Sequence, residues 1–178
     1  LAAHALGYAP RAIRDGLRSF GGVPGRFEIV GCAPLVVVDY AHTPDGLVGT
    51  LTTARSLVPA NARVHCVFGC GGGRDREKRG EMGAIAARLA DVVIITNDNP
   101  RHEDPDRIAK DICDGMPLGS AEVILDRRDA ITRAISRAHV TDVVVIAGKG
   151  HETIQEVAAE ARPFSDVEVA RAVLAGMR

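Results

Sequence analysis

Short apolar runs alternate with amphipathic stretches along most of this chain. Leu35–Val38, Val64–Phe68, Val92–Thr96, Val123–Leu125 and Val143–Ile146 are apolar and of strand length. Pro44–Leu57, Lys78–Leu89, Pro105–Gly115, Arg128–Ala138 and Asp166–Leu174 instead repeat their apolar residues at helical spacing. Strands alternating with amphipathic helices predict βαβ units, and so an α/β domain with a mostly parallel sheet and helices on both faces. Val36-Val37-Val38 and Val143-Val144-Val145-Ile146 are continuously apolar, as strands buried on both faces are. Ahead of this pattern, Ala2, Ala3, Ala5, Leu6, Ile13 and Leu17 predict one or two short helices, interrupted at Gly7-Tyr8-Ala9-Pro10. Gly21-Gly22-Val23-Pro24-Gly25 punctuates the chain as a linker would. The first residue, Leu1, already lies within the helical pattern, which suggests a fragment or a processed product.

Four strands run into chemically loaded loops: Asp39 to Pro44, Gly69 to Arg76, Asn97 to Glu103, and Gly148-Lys149-Gly150-His151-Glu152. A parallel sheet gathers such loops at its carboxyl edge, where open α/β folds bind ligands. In Asp98-Asn99-Pro100-Arg101, Pro100 stiffens the loop and keeps Asn99 out of the helical region. Arg101 offers a two-pronged grip on a carboxylate, and Asn99 both a donor and an acceptor. The segment is either a recognition loop for a small charged molecule or a surface turn.

The glycines 71–73 allow close approach of an anion, with Arg74, Arg76, Lys78 and Arg79 adding positive charge; the alternative is a flexible loop before a solvated basic helix. No GxxxxGK[ST] phosphate loop occurs, and Arg74 stands where GxGxxG needs its third glycine. Glu152 suits a substrate ammonium and Lys149 a carboxylate or phosphate, unless both are exposed turn charges. Asp39, at a strand end, suits ribose hydroxyls or a helix cap, with Thr43 the better cap.

Charge excludes more than it suggests. With 22 basic against 23 acidic residues, nothing favours nucleic acid or an anionic membrane. Aromatics are 3% and Trp is absent, so the core must be aliphatic. Cys32, Cys66, Cys70 and Cys113 lack zinc-like spacing and read as ordinary buried thiols in a reducing compartment. His4, His65, His102 and His139 lie apart, so no metal site is expected. The apolar runs are too short for a membrane span and no secretion signal opens the chain, which predicts a cytoplasmic protein.

Val23-Pro24-Gly25-Arg26-Phe27-Glu28, Val38-Asp39-Tyr40-Ala41-His42-Thr43-Pro44, the Gly69–Arg79 loop, Asp98-Asn99-Pro100-Arg101 and Ala147-Gly148-Lys149-Gly150-His151-Glu152 together resemble, in order and spacing, the C-terminal domain of the Mur ligases of peptidoglycan synthesis. The resemblance implies a Rossmann-like fold, with 22–178 as that domain and 1–21 as the tail of a central ATPase domain. It implies amide formation, in which ATP phosphorylates a carboxylate and an amino acid's amine attacks the acyl phosphate. Arg74, Asn99, Arg101, Gly148 and Glu152, with Asp98 in the same loop, would hold the far end of meso-diaminopimelate. Arg26 and Asp39 would contact the ribose, with His42 near the nucleotide. Lysine-adding members usually lack an Arg at the position of Arg101.

The other partners implied are UDP-MurNAc-dipeptide, ATP and Mg2+. The family's phosphate loop, carbamylated lysine, magnesium ligands and UDP-sugar domain have no counterpart in these residues. This stretch is therefore expected to be the C-terminal part of a monomeric ligase, holding no catalytic residue and no ATP, Mg2+ or other metal of its own, and inactive alone. Gly73 replaces an Asp frequent in relatives. The alternatives are a cyanophycin or folylpolyglutamate synthetase type of ligase, against which Asp98-Asn99-Pro100-Arg101 argues, or a non-catalytic amino-acid-binding module.

Overall fold

The computed structural model describes residues 2–158 and 160–177. Its centre is a six-stranded sheet in the order β1-β2-β6-β3-β4-β5. The strands are β1 (Glu28–Cys32), β2 (Leu35–Asp39), β3 (Val64–Phe68), β4 (Val92–Ile95), β5 (Glu122–Val123) and β6 (Val143–Ala147). β1 pairs antiparallel with β2, and every other pairing is parallel. A small antiparallel hairpin, β7 (Ile154–Val157) with β8 (Glu160–Pro163), follows β6.

The apolar runs fold as they do because both faces of the sheet are covered. Alternate residues point to opposite faces. Val37, Cys66, Phe68, Ile95 and Val145 pack under α3 (Pro44–Ser56), α4 (Glu77–Leu89) and α5 (Pro105–Cys113). Val36, Val38, Val67, Ile94, Val144 and Ile146 pack under α6 (Arg127–Arg137) and α7 (Asp166–Gly176). The core is aliphatic apart from Phe68, as the composition requires. Thr43 caps α3 by accepting from the Gly46 amide, with Pro44 in the first turn.

Three strands escape the apolar pattern. β1 is an edge strand with Ile29 exposed, and β7 and β8 are polar. β1 packs on the core through the half-buried Val30, and strands without a fully buried face carry little alternation to read. Ahead of the sheet, α1 (Ala2–Ala5) and α2 (Pro10–Ser19) have no buried residue, and Leu6, Leu17 and Phe20 are exposed. The cysteine expectation holds for Cys66 and Cys70, which are buried, but Cys32 is exposed and Cys113 half-buried. Burial pushes both buried thiols up to about 12, so they are unreactive near neutral pH. No helix among the described residues is long and apolar enough to cross a membrane.

Candidate functional site

β6 lies between β2 and β3, yet the chain leaves β3 for α4 on one face and β6 for the hairpin and then α7 on the other. Neighbouring strands whose connections part to opposite faces open a crevice at their carboxyl ends. A cavity of about 520 Å³ fills it. Its walls come from all four loaded loops: Tyr40, His42 and Thr43 after β2, Gly69 to Lys78 after β3, Asp98, Asn99 and Arg101 after β4, and Gly148 and Glu152 after β6. Seven of the nine expected site residues, His42 among them, thus share one cleft; Arg26 and Asp39 lie outside its lining.

The wall formed by the β4 and β6 loops is a network of polar bonds. Lys149 is fully buried, and its Nζ donates to Asn99 Oδ1 at 2.9 Å and Glu152 Oε2 at 3.0 Å. Asn99 Nδ2 donates to the same Glu152 oxygen at 2.9 Å, and the Glu156 amide donates to Asn99 Oδ1 at 3.0 Å. Burial would raise Glu152, but the bonds from Lys149 and Asn99 and the nearby cations hold it below the usual carboxylate range. Its Oε1 has no hydrogen-bond partner among the described residues. The expectation that Lys149 grips a substrate anion is therefore corrected: a fully buried ammonium already bonded to Glu152 and Asn99 has no open path to a ligand.

Asp98 sits beside this network, 8% exposed, and neither carboxylate oxygen has a hydrogen-bond partner among the described residues. Burial raises its pKa, against the pull of Arg127 and Lys149. Gly148 makes room for it: at φ +116° a Cβ there would lie 2.6 Å from Asp98 Oδ2. Further along the same loop is Arg101, whose backbone holds φ +54°, an uncommon value for a residue with a side chain. Its backbone is pinned to β7, the amide donating to Glu156 O and the carbonyl accepting from Ala158. Its Nε meets Glu156 Oε2 at 2.9 Å and its Nη1 donates to Gly72 O at 2.8 Å. Nη2 has no partner among the described residues.

The basic cluster of the glycine loop divides. Arg79 is fully buried and bonds Glu103 through both terminal nitrogens, with Asp111 and the Gly71 carbonyl also engaged. Arg76 pairs with Asp111 and Glu103. Arg79 draws Glu103 down to about 2. These two arginines fix the loop to α5 and its approach, and so do not form an anion site. The apparent cost of basic residues at a helix start is met by Glu103 and Asp111. Gly73 donates its amide to Glu103 Oε2. Lys78 donates to the His42 carbonyl. Arg74 is exposed in the cleft wall with no hydrogen-bond partner among the described residues.

On the β2 side, Asp39 is buried and committed to the fold. Its oxygens accept from the Phe27 amide at 2.7 Å, the Ala41 amide at 2.8 Å and the Thr50 hydroxyl at 2.9 Å. The Arg26 guanidinium lies 4.6 Å from the Tyr40 ring centroid, with His42 and His151 against the same ring. Among the described residues no group of three or more His, Cys, Asp or Glu is placed to hold a metal.

Beneath the cleft, fully buried Arg127 bonds Asp166 twice and the carbonyls of Asn97 and Ala147. Gln155 donates to the Asp98 carbonyl. Arg127, Gln155 and Glu156 belong to no motif legible in the sequence. For Lys149 a signal existed, since it follows the five buried residues of β6 after a single glycine.

The family description "Mur ligase, glutamate ligase domain" matches residues 25–150. A UDP-N-acetylmuramoyl-L-alanyl-D-glutamate--2,6-diaminopimelate ligase of Chromobacterium violaceum is 53% identical over 152 residues, 84% of this chain and 31% of its own. A ligase of the same name from Thermosynechococcus vestitus is 52% identical over 175 residues, 96% of this chain and 35% of its own. A solved structure of an enzyme with this name superposes with a TM-score of 0.82 at 41% identity, covering 99% of this chain and 36% of that one. The chain thus spans about a third of the length of the relatives it matches.

Proposed function

The chain belongs to the Mur ligase family, and from that premise we propose that it is the C-terminal, amino-acid-binding part of an ATP-dependent ligase that adds meso-diaminopimelate to UDP-N-acetylmuramoyl-L-alanyl-D-glutamate. One observation carries the reading. A single cleft presents open acceptors, Asp98 and Glu152 Oε1, beside open donors, Arg74 and Arg101 Nη2. A ligand end bearing both an ammonium and a carboxylate satisfies both sets, whereas a simple acid or amine leaves one set unpaired. Unpaired buried polar groups are what give such sites selectivity.

ATP, when bound, supplies the phosphoryl group that activates the acceptor carboxylate. The residues of this chain do a different job. Arg101 and Arg74 hold the far carboxylate, and Asp98 and Glu152 hold the far ammonium. The reacting amine at the other end of the molecule is thereby aimed out of the cleft, a contribution of positioning rather than of bond chemistry. His42, with Arg26 laid over Tyr40, suits the edge of a nucleoside; the three bonds on Asp39 leave it room for one further donor. Among the described residues no group of three or more His, Cys, Asp or Glu is placed to hold a metal, and this reading assigns Mg2+ and the triphosphate to another part of the ligase. Residues 1–21 are assigned to that part, a reading supported by α2, whose apolar Leu17 is exposed.

The test is the full-length ligase containing this stretch, assayed with diaminopimelate and with lysine at saturating ATP and UDP-MurNAc-dipeptide. The reading expects a preference for diaminopimelate of at least about a hundredfold in kcat/KM, about 2.7 kcal/mol of discrimination. Equal use of lysine would remove it.

A further inference from the structure

We propose that Lys149 is a positioning residue for amino-acid selection: without touching the substrate, its ammonium sets the orientation of Asn99 and Glu152. This rests on the reading of the cleft as the amino-acid site.

Lys149 contributes nothing to the cavity wall and is fully buried, so it acts through others or not at all. Both groups it touches do line the cavity. An amide side chain has two nearly equivalent orientations that exchange its donor and acceptor ends. Here two donors, the Lys149 ammonium and the Glu156 amide, converge on Asn99 Oδ1. The reversed amide would face both with its own N–H groups. Asn99 Nδ2 is thereby turned to Glu152 and the cleft. Lys149 and Asn99 together occupy Glu152 Oε2, while Oε1 has no hydrogen-bond partner among the described residues.

A role confined to stability explains this arrangement poorly. A buried ammonium is costly, and an apolar side chain of similar length fills such a position at least as well. What the ammonium adds is compensation for two neighbouring carboxylates, Glu152 and Asp98, in the wall formed by the β4 and β6 loops. It also fixes a donor direction that neither Asn99 nor Glu152 holds alone.

The experiment uses the full-length ligase with Lys149→Met and Lys149→Gln, the second keeping a hydrogen-bond donor without the charge. KM is measured separately for the amino acid, ATP and UDP-MurNAc-dipeptide, with thermal unfolding followed alongside. The expected result for Lys149→Met is a KM for the amino acid raised at least about thirtyfold, with the other two within about threefold and kcat at saturation reduced by less than about tenfold. Lys149→Gln should lie between that variant and wild type. If Lys149→Met does not fold, Lys149→Gln carries the same comparison. A lower fraction of active enzyme with all three KM values unchanged, or a parallel rise in all three, would overturn the proposal. If wild type adds another amino acid in place of diaminopimelate, the function reading fails while the KM comparison, made with that amino acid, still decides the role of Lys149.

Discussion

Asp39 separates two roles that a single residue can carry. Its carboxylate joins the Phe27 amide, which precedes β1, to the Ala41 amide and the Thr50 hydroxyl on α3. Asp39→Ala leaves three donors without an acceptor, and we expect a loss of about 2–4 kcal/mol in unfolding free energy, measured by urea titration. The nucleotide reading adds a separate expectation: in the full-length ligase the same change raises KM for ATP more than KM for diaminopimelate. Lost stability with an unchanged ATP constant would reduce Asp39 to a brace. At this scale the sequence showed which residues meet, because strand ends in a parallel sheet must meet. It did not show which charges are spent internally. Arg74 and Arg79 look alike in sequence, five residues apart, yet one is exposed and the other fully buried. The difference lies in Glu103 and Asp111, brought in from α5 and the turn before it.

Two ion-pair clusters hold the elements that shape the cleft. Arg127 on α6 meets Asp166 on α7 with neither side chain exposed. Arg127→Met leaves Asp166 buried and unpaired, and should cost about 3–5 kcal/mol; Arg127→Met with Asp166→Leu should recover most of it, as a double-mutant cycle in denaturant would show. No recovery would mean that the bonds from Arg127 to the Asn97 and Ala147 carbonyls matter more than the pair. The Arg79 cluster gives a pH signature. Glu103 is held at about 2, below its ordinary value of 4.5, so the folded state binds fewer protons there than the unfolded one. Its contribution is complete above the ordinary value and is lost as pH falls toward 2. Unfolding free energy should therefore decline between about pH 5 and pH 2, and the decline should be shallower in Glu103→Gln. Identical slopes would leave Asp111 as the partner that matters. The helices were legible because one buried face writes a period into the sequence, and the inner strands because burial on both faces leaves a continuous apolar run. β1, β7 and β8 were not, and the hairpin is what pins Arg101 at its positive φ through Glu156 and Ala158. A polar hairpin carries no hydrophobic period, so the support of the recognition loop was invisible although the loop itself stood out.

Taken as a whole, the molecule is a six-stranded sheet with a loaded carboxyl edge and a two-stranded hairpin, preceded by α1 and α2 with exposed apolar residues. In the proposed reading the phosphate-handling half of the reaction lies outside this stretch. The purified 178-residue chain should accordingly form no product from UDP-MurNAc-dipeptide, diaminopimelate and ATP, and product above a no-enzyme control would refute that division of labour. The central claim is narrower: this cleft reads the far carboxylate of the amino acid through Arg101. Because Glu156 and the Gly72 carbonyl already partner Arg101, lysine does not strand an isolated buried cation. The discrimination from this one residue should be that of a charge-assisted hydrogen bond, about 1.5–3 kcal/mol, or roughly ten- to a hundredfold. The measurement is the ratio of kcat/KM for diaminopimelate to that for lysine in the full-length ligase, wild type against Arg101→Ala. The account predicts that the ratio falls by that factor, mainly through loss of diaminopimelate use; a ratio unchanged by Arg101→Ala would contradict it.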